Sequence, residues 1–385
     1  MKIIAIDYWK LPCRAIKESW DSDESVWPDA PPSFLVRVTG EDGVTGVGEV
    51  TSQVWYLGET AEQIAGCLAL YAQALVGQDA TNIARAHQIM ERTYAGGMPG
   101  GRGARSAVDM ALYDLVGKAK GLSVHALLGG AYRTRLDLLT NLYHKTPESM
   151  AQACKDFVAR GFKGLKIKVG DTLLHHGFSM QRMEQELEFL QAALEVTPRD
   201  VYIDADANQG WRNAKWTVAK LARFEEYDNL SIEQPLAYAD LAGARHVREH
   251  ARTPVILDES IWSVEAMSNA IAAQACDRIV LKINRVGGFF PAQQIIALCT
   301  AAGIGVSVDT NPFTLVGDTA CAHIAAIIKD HYPVDCEGHV SFLTLGRDDV
   351  FQGGVAFDQG QAIVPVAPGL GVEVDWDVVE GIAER

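Results

Sequence analysis

The sequence predicts an α/β protein: a TIM-type (β/α)7-8 barrel under an N-terminal α+β capping domain that the C-terminal segment completes. Three observations carry that reading. From about Leu136, short apolar runs alternate with amphipathic helical stretches in eight successive units, the rhythm of a closed parallel barrel. Ahead of them, strand-like and helical periodicities come in blocks instead of alternating. The apolar runs also end in charged residues, and such a barrel keeps its chemistry at the C-terminal ends of its strands. The chain divides accordingly into a cap over 1–130, a barrel over 131–345 and a returning segment over 346–385.

In the cap, residues 2–11 read as a strand, and 33–40 with 46–51 as a hairpin about Glu41-Asp42-Gly43. Between them, 17–32 reads as a loop rich in Asp, Glu, Pro and Trp. Helical periodicity then covers 61–76, 82–94 and 104–120. The glycine tract over 96–103 follows a helix, whereas a dinucleotide loop follows a strand, so it reads as a mobile loop beside a pocket. The barrel strands fall at 138–142, 165–169, 201–206, 230–234, 255–259, 279–283, 304–309 and 334–337. Helices lie between them, among them 147–160, 183–194, 214–225, 266–276, 291–302 and 319–329. After Gly338 the rhythm dissolves, and 353–375 is expected to pack back on the cap.

The net charge of −15 opposes nucleic acid or an anionic membrane as the main partner. No stretch approaches the ~20 apolar residues of a membrane span, and Met1 to Pro12 lacks the apolar run of a signal peptide. Seven scattered cysteines without a C-x-x-C pair suit reduced thiols, so the expected location is cytoplasmic.

Within the second strand, Lys166 and Lys168 are two apart and share a face. Their mutual repulsion is expected to lower the pKa of at least one and make it a usable base. The following strand ends supply Asp204-Ala205-Asp206-Ala207-Asn208, Glu233-Gln234-Pro235 and Asp258-Glu259-Ser260, then Lys282, Asp309, and Asp335 with Glu337. Asp206, Glu233 and Asp258 from adjacent strands would repel one another without a cation between them. An all-oxygen set with room for substrate suits Mg2+ better than Zn2+. Other candidates are weaker. His246 and His250 sit four apart on a helix without a third ligand, His175-His176 lies in a loop, and Gly287-Gly288 reads as a tight turn.

In this order, Lys-x-Lys, Asp-Ala-Asn, Glu-Gln-Pro, Asp-Glu-Ser and Lys282 before Asn284-Arg285-Val286-Gly287-Gly288 resemble the enolase superfamily. More narrowly they resemble the muconate lactonizing enzyme subgroup of the mandelate racemase/muconate lactonizing enzyme family. The resemblance implies that Asp206, Glu233 and Asp258 bind one Mg2+, or Mn2+ in its place, with Asn208 and Glu259 beside them. It implies that Lys168 and Lys282 form an acid/base pair on opposite faces of the substrate, with Lys166 tuning Lys168 and neutralising a substrate carboxylate. A symmetric homo-oligomer is also implied. Where mandelate racemase uses a histidine backed by an aspartate, this chain has Lys282. Dipeptide epimerases of the lysine-lysine type carry Asp-x-Asp on the eighth strand, and Asp335-Cys336-Glu337 matches it in part.

The chemistry so implied is removal of the proton α to a carboxylate through an enediolate, leading to racemisation or epimerisation of an amino-acid-like acid. Cycloisomerisation and acid dehydration are the alternatives on the same site. A non-catalytic barrel would gain nothing from two bases. Selectivity is expected from cap residues Trp20, Trp27, Trp55 and Tyr56, with Asp309, Asp335 and Glu337, favouring a carboxylate substrate that also bears an ammonium group.

Overall fold

The computed structural model describes residues 1–15, 20–21, 31–54, 57–94, 100–144, 146–170, 177–310, 313–335, 343–345 and 349–383. Seven parallel strands follow one another in chain order: Arg135–His144, Gly164–Lys168, Tyr202–Asp206, Leu230–Glu233, Val255–Leu257, Arg278–Leu281 and Gly305–Val308. An eighth, the two-residue Val334–Asp335, pairs in parallel with the first at Leu138 and Leu139. Parallel neighbours need a crossover between them, and helices supply it. With both faces covered, the strands read as near-continuous apolar runs.

The helices begin where a polar side chain satisfies backbone donors that the first turn leaves over. Thr146 and Ser149 form a reciprocal capping box ahead of Pro147–Ala159. Ser179, Asn213, Asp240 and Ser263 each accept a backbone N–H of the helix that follows. The sixth strand stops at Leu281, two residues short of expectation, because Ile283–Val286 winds into a helical turn closed by Gly287 at φ 99°. Lys282 therefore stands at a strand-to-helix corner.

At the opposite end of the barrel, the Arg278 guanidinium lies between the rings of Tyr202 and Tyr332, at 4.4 and 4.1 Å. That stack fills the floor and leaves the C-terminal mouth for chemistry. No helix among the described residues is long and apolar enough to cross a membrane.

The cap is an antiparallel sheet of Ile3–Leu11, Ser33–Gly40 and Thr45–Thr51 backed by helices Ala61–Leu75, Ile83–Thr93 and Arg102–Lys120. Alternation along the central strand divides its side chains: Phe34, Val36 and Val38 enter the cap's own core, and Leu35 joins the barrel's. Gly46 and Gly48 let the third helix lie directly on the sheet, since a Cβ there would come within 2.0 Å of the Ala111 and Ala107 carbonyl oxygens.

Two buried acids fasten the cap to the barrel, Glu49 from the sheet and Asp109 from the helix Arg102–Lys120. Glu49 accepts hydrogen bonds from the Thr314 and Gly317 N–H groups and the Thr314 and Ser33 hydroxyls, each at 2.8 Å. Asp109 accepts from Phe289 N–H at 2.6 Å and from His87 at 2.7 Å. Thr314 and Phe289 open the helices that follow the seventh and sixth barrel strands. Carboxylates suit helix N-termini because unpaired N–H groups and the helix dipole converge there.

Two expectations need correction. The stretch 17–32 contains a two-residue strand, Trp20–Asp21, that pairs in parallel with Tyr143 and His144 at the top of the first barrel strand. The returning segment is also shared between the two bodies. Trp376 meets Trp9 of the cap at 5.1 Å, and Leu370 N–H donates to Asp114. The hairpin of Ala356–Asp358 and Gln361–Ile363, however, joins the barrel by antiparallel pairing to Arg135–Asp137. The first barrel strand pairs with the second only from Leu139 onward, so its start is an open edge that this hairpin covers.

Candidate active site

The second, third and fourth barrel strands run in register, with Lys166 beside Asp204, Lys168 beside Asp206, and Asp206 beside Glu233. This places the polar residues in two layers. The upper layer holds Lys168, Asp206 and Glu233, joined at the mouth by Asp258 and Lys282 from the fifth and sixth strands. The lower holds Lys166, Asp204 and, across the barrel, Asp335; Asp309, which contacts both Lys166 and Lys282, spans the two layers and lines one small cavity with these three.

Lys166 is only 2 % exposed and reaches Asp309 at 2.9 Å, Glu233 at 3.1 Å and Asp204 at 4.0 Å. Burial by itself would lower its pKa, but those carboxylates hold the ammonium well above the ordinary lysine value. At Lys166 the expected depression by lysine–lysine repulsion does not hold, because three acids outweigh one neighbouring cation. Lys168 contacts Asp206 at 2.5 Å and Asn208 at 3.1 Å, with its ammonium 5.6 Å from the Tyr143 ring centre. Lys282 contacts Asp258 at 3.0 Å and Asp309 at 3.1 Å. It too is pushed down by burial and lifted past its usual value by Asp258 and Asp309.

Glu233, Asp258 and Asp309 bring buried carboxylate oxygens within 4.8 Å of one another, a group that could hold a metal ion. Burial, with Asp204 and Asp206 nearby, pushes the Glu233 carboxyl well up. Asp258 goes the other way: despite burial, Arg285 and Lys282 hold it down to about 2. Such a hard, all-oxygen, charge-rich set fits a divalent cation of the magnesium kind. Asp206 lies outside this tight group, its carboxylate taken by Lys168 and by the Asn208 N–H at 2.9 Å.

The other residues singled out from the sequence are distributed as follows. Asn208 donates to Glu259 at 3.4 Å, and Glu259 is raised to about 7 by burial, Asp258 and Asp206. Asp335 accepts from Asn141 at 2.9 Å, in the lower layer. The backbone of Trp20 pairs with Tyr143. Trp27, Trp55, Tyr56, Glu337 and His175-His176 lie outside the described residues. His246 and His250 stack on each other at 4.1 Å, and the acidic group is the only metal-type cluster among the described residues.

Sequence reasoning gave no role to Arg285, Asp204 or Asn141. Arg285 binds the Asp258 carboxylate and the Ile261 carbonyl. Its signal was its position three residues after Lys282, one helical turn along. Asp204 points the same way as Asp206, as the two-residue period requires, and its carboxyl is raised to about 6 by burial.

Residues 30–129 match the mandelate racemase/muconate lactonizing enzyme N-terminal domain, and residues 149–378 match the enolase C-terminal domain-like family. The chain is 28% identical to an N-succinyl-L-Arg/Lys racemase of Bacillus cereus over 91% of this chain and 89% of that one. It is 29% identical to an L-Ala-D/L-Glu epimerase of Bacillus subtilis over 97% of both. A crystal structure of a dipeptide epimerase from Cytophaga hutchinsonii, complexed with Mg and D-Ala-L-Val, superposes with a TM-score of 0.86 at 25% identity, covering 99% of this chain and 98% of that one. With both parts matched and the acids and lysines ranged round one barrel mouth, this chain belongs to the mandelate racemase/muconate lactonizing enzyme family of the enolase superfamily.

Proposed function

We propose that this chain is a Mg2+-dependent racemase or epimerase of an amino-acid-like carboxylate, such as an N-acylated amino acid or a dipeptide. The observation that carries the reading is the placement of the two amines. Lys168 and Lys282 stand on the second and sixth strands, four steps apart round the sheet, and each is paired to an acid at one end of the row Asp206, Glu233, Asp258. A substrate lying over that row has one amine on each side of its α-carbon.

Glu233 and Asp258, common to this row and to the tight carboxylate group, would hold the ion, with Asp206 joining them from the Lys168 side. A bound divalent cation would stabilise the negative charge that grows on the substrate carboxylate as the α-proton leaves. Lys168 or Lys282, in its neutral form, takes the proton from one face. The other, as an ammonium, returns one to the opposite face, inverting the centre. Afterwards the two amines have exchanged protonation states, which makes the chemistry reversible. Lys166, buried and cationic, offsets part of the carboxylate charge from below.

The cap strand Trp20–Asp21, paired at the top of the first barrel strand, supports a role for the cap in substrate choice. In this reading Trp20, Trp27, Trp55 and Tyr56, with Asp309, Asp335 and Glu337, select the group attached to the α-carbon and favour an ammonium. Equal affinity for neutral and cationic analogues of the same size would remove that part.

The deciding experiment incubates N-succinyl-L-arginine, L-Ala-L-Glu and their α-epimers with enzyme and Mg2+ in D2O, following α-deuteration by NMR. Washout from both epimers with loss of optical purity is the expected result. Elimination of a β-substituent without return of the proton would make the enzyme a dehydratase instead. No α-exchange across a broad panel of such acids would refute the proposal.

A further inference from the structure

We propose that Gln234 is a positioning residue that locks the fourth-strand and fifth-strand metal carboxylates into one geometry. The inference rests on the reading that Glu233 and Asp258 hold a divalent ion. Gln234 follows Glu233 directly and is 1 % exposed. Its backbone sits in the left-handed region at φ 36°, unusual for a residue with a side chain. Strain of this kind persists only where surrounding contacts over-determine it.

The Gln234 side-chain oxygen accepts from Asp258 N–H at 2.9 Å and from Ser260 N–H at 3.2 Å. Its nitrogen donates to the Leu236 carbonyl at 3.0 Å and to the Ser260 hydroxyl at 2.9 Å, and that hydroxyl donates on to the Tyr238 carbonyl at 2.8 Å. One amide thus grips the main chain on both sides of Glu259 and turns the fourth strand's own exit back on itself. The fifth strand has already ended at Leu257, so the strand ladder does not extend to fix Asp258. Gln234 supplies the missing register. The carbonyl of Gln234 also receives Gln209 N–H at 2.7 Å, which ties in the third-strand loop that follows Asp206. Side chains behind a metal's own ligands set how well those ligands point.

The test measures Mn2+ binding to the full-length protein by electron paramagnetic resonance, without substrate, alongside far-UV circular dichroism and thermal unfolding. Gln234→Met keeps the volume and removes both acceptor and donor. It is expected to weaken Mn2+ binding by about 10- to 100-fold, the usual effect of losing such a support, and to broaden the bound signal. Gln234→Glu keeps the accepting oxygen and should bind within about threefold of wild type; it also carries the test if the Met variant does not fold. Unchanged affinity in Gln234→Met, or a tenfold loss in a folded Gln234→Glu, overturns the inference while the metal reading survives. Wild-type protein that binds no Mn2+ at all would overturn both.

Discussion

His323 gives a sharp test of how this fold responds to acid. Its ring is buried on the helix Leu315–Ala326 and stacks on His125 at 5.1 Å. The hydrogen bonds fix the tautomers. The Ser123 hydroxyl lies 3.1 Å from His125 Nε2, His125 Nδ1 lies 3.0 Å from His323 Nδ1, and His323 Nε2 lies 3.1 Å from the Leu370 carbonyl. Since that carbonyl can only accept, His323 carries its proton on Nε2 and accepts from His125 on Nδ1. A second proton has no place in this chain. Burial, reinforced by His125, lowers the His323 pKa from 6.5 to about 4. The folded state therefore binds fewer protons than the unfolded chain between those values, and stability rises with pH across that window. The contribution is complete above about pH 6.5, falls as acid is added, and is gone near pH 4. From the size of the displacement the loss is roughly 3 kcal/mol, at 1.36 kcal/mol per pH unit. Urea unfolding of wild type and His323→Gln at several pH values from 7.5 to 4.5 isolates this share, because all other titrating groups are common to both proteins. Wild type should lose about 2–3 kcal/mol more than the variant over that range. Parallel curves would refute the assignment of a neutral, buried His323.

Three further outcomes follow from the site and the cap. Lys282→Ala should leave α-deuteration of one epimer and abolish that of the other, a loss of about 10²- to 10⁴-fold; equal loss for both would contradict amines on two faces. Glu49→Ala leaves the Thr314 and Gly317 N–H groups buried without their acceptor, at about 1–3 kcal/mol each. Denaturant unfolding should therefore show a drop of roughly 3 kcal/mol, and a drop below about 1 would mean that the cap is held elsewhere. Chelation with EDTA should stop α-exchange and added Mg2+ or Mn2+ should restore it, whereas exchange that survives exhaustive chelation would rule out a metal role.

The barrel was legible in the sequence because its strands are buried on both faces and its helices carry a single apolar stripe, so the two patterns contrast strongly. The strand ends were legible for a different reason: carboxylates and lysines are rare in apolar runs. Ends of elements were harder. Whether Ile283 continues a strand or opens a helical turn depends on Gly287 turning left-handed two bonds after Arg285, a local closure that periodicity does not register. The hairpin at 356–363 answers to an open strand edge more than two hundred residues earlier, which no local pattern reveals. Lys166 shows the same limit in its chemistry. Its neighbour Lys168 is visible in the sequence, but the three acids that decide its charge come from the third, fourth and seventh strands.

The joint made by Glu49 and Asp109 constrains how this enzyme can open. Swinging the cap away as a rigid lid would strip two enclosed carboxylates of their barrel donors at once, leaving Glu49 with Ser33 and Asp109 with His87. A rigid-body opening of the cap is therefore costly, and the two bodies stay bolted. The same arrangement lets the rim be rewritten for new substrates without disturbing the alignment of the lysine corner below.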